Sequence, residues 1–145
     1  MITMRIKDLF FDKQAVLRAV DKAKRAVLSK AGAFIRTTAK HSIRSKKGSA
    51  PPGKPPHSHE GSLRRLIYFG YDRASDSVVV GPVGFKRSTA PNVLEFGWKT
   101  EIQRRRHGKV VRTRVTIDRR AFMGPALEKE RPKLPKRWAG SVRGG

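Results

Sequence analysis

Apolar side chains recur at helical intervals through residues 12–45. At 100° per residue, Val16, Val20, Ala23, Val27, Ala31 and Phe34 fall on one narrow face, which Leu17, Leu28 and Ile35 widen on one side. The pattern predicts one long N-terminal helix with Asp12 as its N-cap and Gly32 as a candidate break. Residues 46–61, KKGSAPPGKPPHSHEG, hold four prolines and three glycines and can keep neither a helix nor a central strand, so they predict an extended loop. Residues 63–71 and 77–83 read as two strands joined across Asp72–Asp76, and residues 89–97 as a helical turn begun at Pro91 and stopped at Gly97. Residues 101–117 form the clearest hairpin. A turn at His107-Gly108 sets Glu101 opposite Arg114, Gln103 opposite Arg112 and Ile102 opposite Thr113. Residues 122–131 begin a short last helix with Pro125 in its first turn. Pro132 and Pro135 end it, which leaves Trp138 on an irregular stretch before a flexible tail, 139–145. The fold class predicted is α+β in a single domain over 1–145: a long N-terminal helix packed on a small, mostly antiparallel sheet, with a basic β-hairpin and a short C-terminal helix.

Charge changes this picture more than composition does. Lys and Arg number 34 against 11 Asp and Glu, a net charge of +23 over 145 residues. Such self-repulsion opposes a free compact monomer and points to acidic or polyanionic partners. The charge is split: residues 1–47 carry net +10, 48–98 only +2, 99–120 +7 and 121–145 +4. On the predicted helix, Arg18, Lys22, Arg25, Arg36, Lys40 and Lys47 line the side opposite the apolar face. One reading is an ordinary solvated face. The other is a polyanion-binding stripe, favoured because almost no acidic residue is interleaved for i,i+4 pairing. The hairpin tip is also basic, through Arg104, Arg105, Arg106 and Lys109, with Arg112 and Arg114 behind it, and is expected to project as an arm.

Chemistry is sparse. With no cysteine, disulfides, thiolate metal sites and thiol catalysis are excluded. No apolar run approaches the length of a membrane span, and Met1–Phe11 lacks the pattern of a secretory signal. His57 and His59 share the proline-rich loop without a third ligand, so no metal and no cofactor is expected. The acidic residues are too scattered for paired-carboxylate catalysis, and no phosphate-cradling or nucleophile-elbow motif occurs. No catalytic residue is assigned, and the chain does not read as an enzyme.

A series of short motifs adds an order of its own: Gly61-Ser62-Leu63, Val80-Gly81-Pro82, Val93-Leu94-Glu95-Phe96-Gly97 and Phe122-Met123-Gly124-Pro125-Ala126-Leu127. This order over about residues 12–131 resembles the tail-completion or head–tail joining family of tailed phages, with Ala121 and Trp98 standing where proline and threonine are common. The resemblance implies a non-enzymatic virion protein made in the host cytoplasm. It would assemble as a homo-oligomeric ring at the neck, six-membered to match the tail or twelve-membered to match the portal. Its partners would be neighbouring head-connector and tail proteins, with double-stranded DNA passing non-specifically through the channel. A helix over 12–45 would span about 51 Å, along which duplex DNA carries about 30 charges, so six copies of the helix stripe would suffice to neutralise it. On this reading Arg18, Lys22, Arg25, Arg36, Lys40 and Lys47 are the DNA-channel candidates. Arg104, Arg105, Arg106, Lys109, Arg112, Arg114, Pro51, Pro52, Pro55, Pro56 and Trp138 are the partner-contact candidates, and the proline-rich loop is expected to lie across a neighbouring subunit. A general nucleic-acid-binding basic protein is the alternative function.

Overall fold

The computed structural model describes residues 12–85, 90–106 and 108–142, with the backbone alone for Arg106. The segments Met1–Phe11 and 143–145, Thr89 and the turn residue His107 lie outside the described residues. The expected α+β class holds. A 30-residue helix, α1 (Lys13–Ser42), is followed by a short helix α2 (Ser62–Arg65) and an antiparallel pair, β1 (Ile67–Asp72) and β2 (Ser77–Pro82). Then come α3 (Ala90–Phe96), a second antiparallel pair, β3 (Trp98–Arg106) and β4 (Lys109–Ile117), and the C-terminal helices α4 (Met123–Glu130) and α5 (Leu134–Trp138), with one 3-10 turn between them. The strands make two separate two-stranded sheets rather than one.

Asp12 caps α1 as expected, its carboxylate accepting from the Ala15 amide at 2.9 Å. The helix runs unbroken through Gly32 and ends at Ser42, three residues short of the expected end, where Ile43 turns extended. Its buried positions differ from the expected face. Ala23, Val27, Ala31, Ile35, Ala39 and Ile43 are buried, whereas Val16, Leu17, Val20 and Phe34 are exposed. The buried residues form one row at intervals of four, which winds about 40° per step at 3.6 residues per turn. The β1–β2 ribbon and α4 therefore cross α1 obliquely, and the contact line swings toward the side bearing Arg36 and Lys40. The core lies at that end, where Ile35, Ala39 and Ile43 meet Ile67, Phe122 and Ala126, with Leu63, Val80, Leu94 and Met123 around them.

Gly32 lets the ribbon approach. A Cβ there would stand 2.6 Å from Val78 Cγ2 and 2.9 Å from Phe69 Cδ2. Alanine is the better helix former by about 1 kcal/mol. Overpacking against a β-branched side chain costs about 1–3 kcal/mol. The clash wins, and Gly32→Ala is expected to lower the thermal midpoint by several degrees in an unfolding scan. A rise would show that the ribbon is free to shift.

Two other expectations are corrected, and the proline-rich loop gains contacts within its own chain. Residues 62–65 are helical, not the start of a strand: Gly61 takes φ +74° and its carbonyl accepts from the Arg65 amide, so β1 begins only at Ile67. The proline-rich loop is pinned to its own chain. The Ser58 amide bonds to the Arg44 carbonyl at 2.9 Å, the Gly53 amide to the Arg119 carbonyl at 3.0 Å, and Arg120 Nε to the Ala50 carbonyl at 2.7 Å. Removal of Gly48–His59 would thus break the monomer's own contacts as well as any between subunits. Pro132 and Pro135 do not leave an irregular end. Each sits at the first or second position of a new helical segment, where proline needs no amide, so the chain continues as a 3-10 turn and then α5.

Candidate nucleic-acid and docking surfaces

The winding of α1 divides its basic stripe. Arg18 and Lys22 are exposed on the N-terminal half. Arg25 lies 5.8 Å from the centre of the Tyr71 ring and Arg36 5.7 Å from that of Tyr68, both cation–π contacts with β1. Arg36 Nε also donates to the Ile67 carbonyl at 2.7 Å. These two arginines are drawn onto the ribbon, where they fasten β1 to α1 as well as carrying charge. Lys24, outside the expected stripe, pairs with Asp21 at 3.2 Å and with Asp76, whose carboxylate also accepts from the Tyr71 hydroxyl. The Asp76 hydrogen bond, chiefly, holds the Lys24 ammonium above its ordinary pKa. Lys47 lies past the end of α1, in the loop, so it is not part of the helix stripe.

Lys40 has a different environment. It is half-buried, and burial first, then the charges of Arg36 and Arg64, push its pKa down. It lines an open concavity of about 470 Å³ between the last turns of α1 and the segment 60–65, together with His41, Arg64, Arg65 and one acid, Glu60. An adjoining hollow of about 440 Å³ shares His41 and adds Arg44, Lys54 and His57. Arg64 and Arg65 were hidden at the sequence level by their reading as strand residues. The signal for α2 was Gly61 followed by serine, a turn-and-helix start.

The hairpin has the expected register: Glu101 faces Arg114, Gln103 faces Arg112 and Ile102 faces Thr113, and Gly108 takes φ +76°. Its strands extend to Trp98 and Ile117 and, among the described residues, pair only with each other. One face carries Trp98, Ile102, Val111, Val115 and Ile117, with Arg104 and Lys109 toward the tip. The other carries Lys99, Arg105, Arg112 and Arg114. The Arg114–Glu101 pair, at 3.0 Å, is the one ion pair of the described hairpin residues. Val110 and Val111, opposite Arg105 and Arg104, are exposed, so apolar surface reaches close to the tip.

Of the other partner-contact candidates, Pro51 and Pro52 are exposed, Pro55 is half-buried and Pro56 is buried. The loop therefore offers its first proline pair outward and keeps the second against its own chain. Trp138 closes α5 and is 41% exposed. The histidine pair gathers no ligand set: among the described residues no three His, Asp or Glu side chains come together as a metal site. No helix of the described chain is long and apolar enough to cross a membrane.

Two acidic residues that sequence reasoning left without roles organise the framework. Glu95 accepts from the amides of Phe122, Met123 and Gly124 at 2.9, 3.0 and 2.8 Å, which caps a helix whose own N-cap residue, Phe122, offers no acceptor. Glu130, on α4, accepts from Thr38, Lys133 and Arg137. The absence of Ser, Thr, Asp or Asn before Met123 was the available signal that the cap must come from elsewhere. The motifs Val93–Gly97 and Phe122–Leu127 thus meet in one joint through Glu95. Compared with family models, curated proteins and solved structures, the chain matches none of them significantly.

Proposed function

We propose that the chain is a structural virion protein that assembles as a ring at the neck of a tailed phage, joins the DNA-filled head to the tail and surrounds the DNA channel. The observation that carries this reading is a protomer left incomplete by its own fold. A basic two-stranded ribbon with an apolar face stands apart from the other sheet, and an isolated hairpin is marginal in water. Between β2, α3 and α4 an apolar groove of about 550 Å³ runs past Val79, Phe96 and Leu127, with Phe96 75% and Val79 61% exposed. Copies of the same chain and acidic neighbours from the head connector and tail would cover these surfaces and offset the +23 charge. The motif order of the sequence supports the neck assignment. A sixfold ring would match the tail, and a twelvefold ring the portal. The assembly would form in the host cytoplasm and end in the virion.

The assignment predicts a specific defect. Disruption of the gene in its phage is expected to leave DNA-packed heads and separate tails in lysates viewed by electron microscopy. Joined, infectious virions would sink the assignment. A general nucleic-acid-binding role is the second reading, favoured by the cations around Lys40, which form no ion pair among the described residues.

A further inference from the structure

The concavity between α1 and α2 has an unusual charge balance. Lys40, Arg64 and Arg65 line it with Glu60 as the sole carboxylate, and His41 adds a ring with two nitrogens. None of these side chains forms an ion pair with a described residue, although the chain pairs Lys24, Arg114 and Arg137 elsewhere. Three cations against one anion leave an excess of two positive charges in one hollow. Lys40 is held there half-buried against the like charges of Arg64 and of Arg36, one turn earlier on α1. Cations so placed repel one another unless an anion bridges them.

We propose that this concavity binds a phosphate group. The donor set favours phosphate over carboxylate. Two guanidinium groups and an ammonium line a space of about 470 Å³, roomy enough for a tetrahedral group with several acceptor oxygens, and the excess charge of two matches the one to two negative charges of a phosphate. The adjoining basic hollow with Arg44 and Lys54 continues the surface past His41, a path along which a nucleic-acid backbone would place its next phosphate. The assignment is independent of the neck reading: a ring that joins heads to tails neither requires nor excludes it, and the gene disruption and the binding assay fail separately.

Two arms of one experiment on the purified full chain test it and separate a backbone phosphate from a free one. The first measures binding of a labelled 20-base-pair duplex over a salt series. Lys40→Gln/Arg64→Gln is compared with Arg73→Gln/Lys136→Gln, which removes the same charge from exposed positions that line neither hollow. The first pair is expected to weaken binding about tenfold and to flatten the salt slope by about two, while the control changes it less than threefold. The second arm measures thermal stability in inorganic phosphate against chloride of equal ionic strength. The wild type is expected to gain stability in phosphate, and Lys40→Gln/Arg64→Gln to lose that gain. The charge-keeping Lys40→Arg/Arg64→Lys variant should retain both responses, which separates charge from packing. Selectivity in the duplex arm identifies a backbone phosphate, and selectivity in the phosphate arm alone identifies a free one. Equal losses in both double variants, with no specific gain in phosphate, overturn the site.

Discussion

Replacement of Glu130 by alanine is expected to cost about 3–5 kcal/mol, the range for removing one partner of a buried ion pair. Glu130 is 3% exposed. Its Oε1 accepts from Thr38 Oγ1 and Lys133 Nζ, each at 2.9 Å, and its Oε2 from Arg137 Nη2 at 3.0 Å. One carboxylate thus ties α1, α4 and α5 together. The Arg137 guanidinium is stacked 3.8 Å from the centre of the Phe34 ring, and its Nη1 is buried with no acceptor among the described residues, so loss of Glu130 strands a charge already short of partners. Against a domain stability of about 5–15 kcal/mol, such a loss should show as a large fall in the urea midpoint with an unchanged slope. The pH dependence has a defined sign. The Lys133 hydrogen bond, aided by Thr38 and Arg137 against the opposing effect of burial, lowers the Glu130 pKa from 4.5 to about 2. A folded pKa below the unfolded one stabilises the fold above the unfolded value, and that contribution disappears as pH falls through the folded value. Wild-type stability should therefore drop between about pH 4.5 and 2, by about 3 kcal/mol from this group. Glu130→Gln should lose this component of the slope, and an identical acid slope in the variant would count against the assignment.

What the sequence could reveal followed the range of the interactions. The hairpin register was legible because a two-residue turn at fixed spacing determines every pair along the strands. The long helix was legible as a helix, but its buried face was not. That face follows an oblique row chosen by the ribbon and α4 crossing it, and these contacts bring Arg25 and Arg36 to tyrosines more than thirty residues away. Pro51–Pro56 excluded regular structure correctly. What pins their loop is Arg44 just before it and a pair of arginines, Arg119 and Arg120, far along the chain. Arg64 and Arg65 were misread because alternating apolar residues downstream hid a single left-handed glycine at position 61. The cation cluster around Lys40 was illegible for the same reason: it exists only once α2 folds against the end of α1.

Glu95→Ala is expected to destabilise the fold by about 2–4 kcal/mol. Capping alone is worth about 0.5–2 kcal/mol, and hydrogen bonds to a charged acceptor about 1.5–3 kcal/mol; here three amides share one carboxylate, so the effects overlap rather than add. The loss would extend past α4. The Leu94 carbonyl accepts from the Arg120 amide at 2.7 Å, and the Glu95 carbonyl from Arg119 Nε at 2.9 Å, so α3 is stapled to the segment that leaves the hairpin. Gly97 completes the staple at φ +77°, where a Cβ would stand 3.1 Å from the Ile117 carbonyl oxygen. Gly124 has a related constraint, since its Cβ would stand 3.0 Å from Glu95 Oε1. The pieces Glu-Phe-Gly and Phe-Met-Gly-Pro are thus two halves of one joint, which sets where the basic ribbon leaves the body. Amide hydrogen exchange gives the sharper readout. In Glu95→Ala the amides of Met123 and Gly124 should lose protection while those in the middle of α1 keep theirs up to the new global limit. Glu95→Gln keeps one acceptor oxygen and should fall between alanine and the wild type. Unchanged protection at Met123 and Gly124 would mean that α4 is held by Phe122 and Ala126 in the core, and that the carboxylate is dispensable.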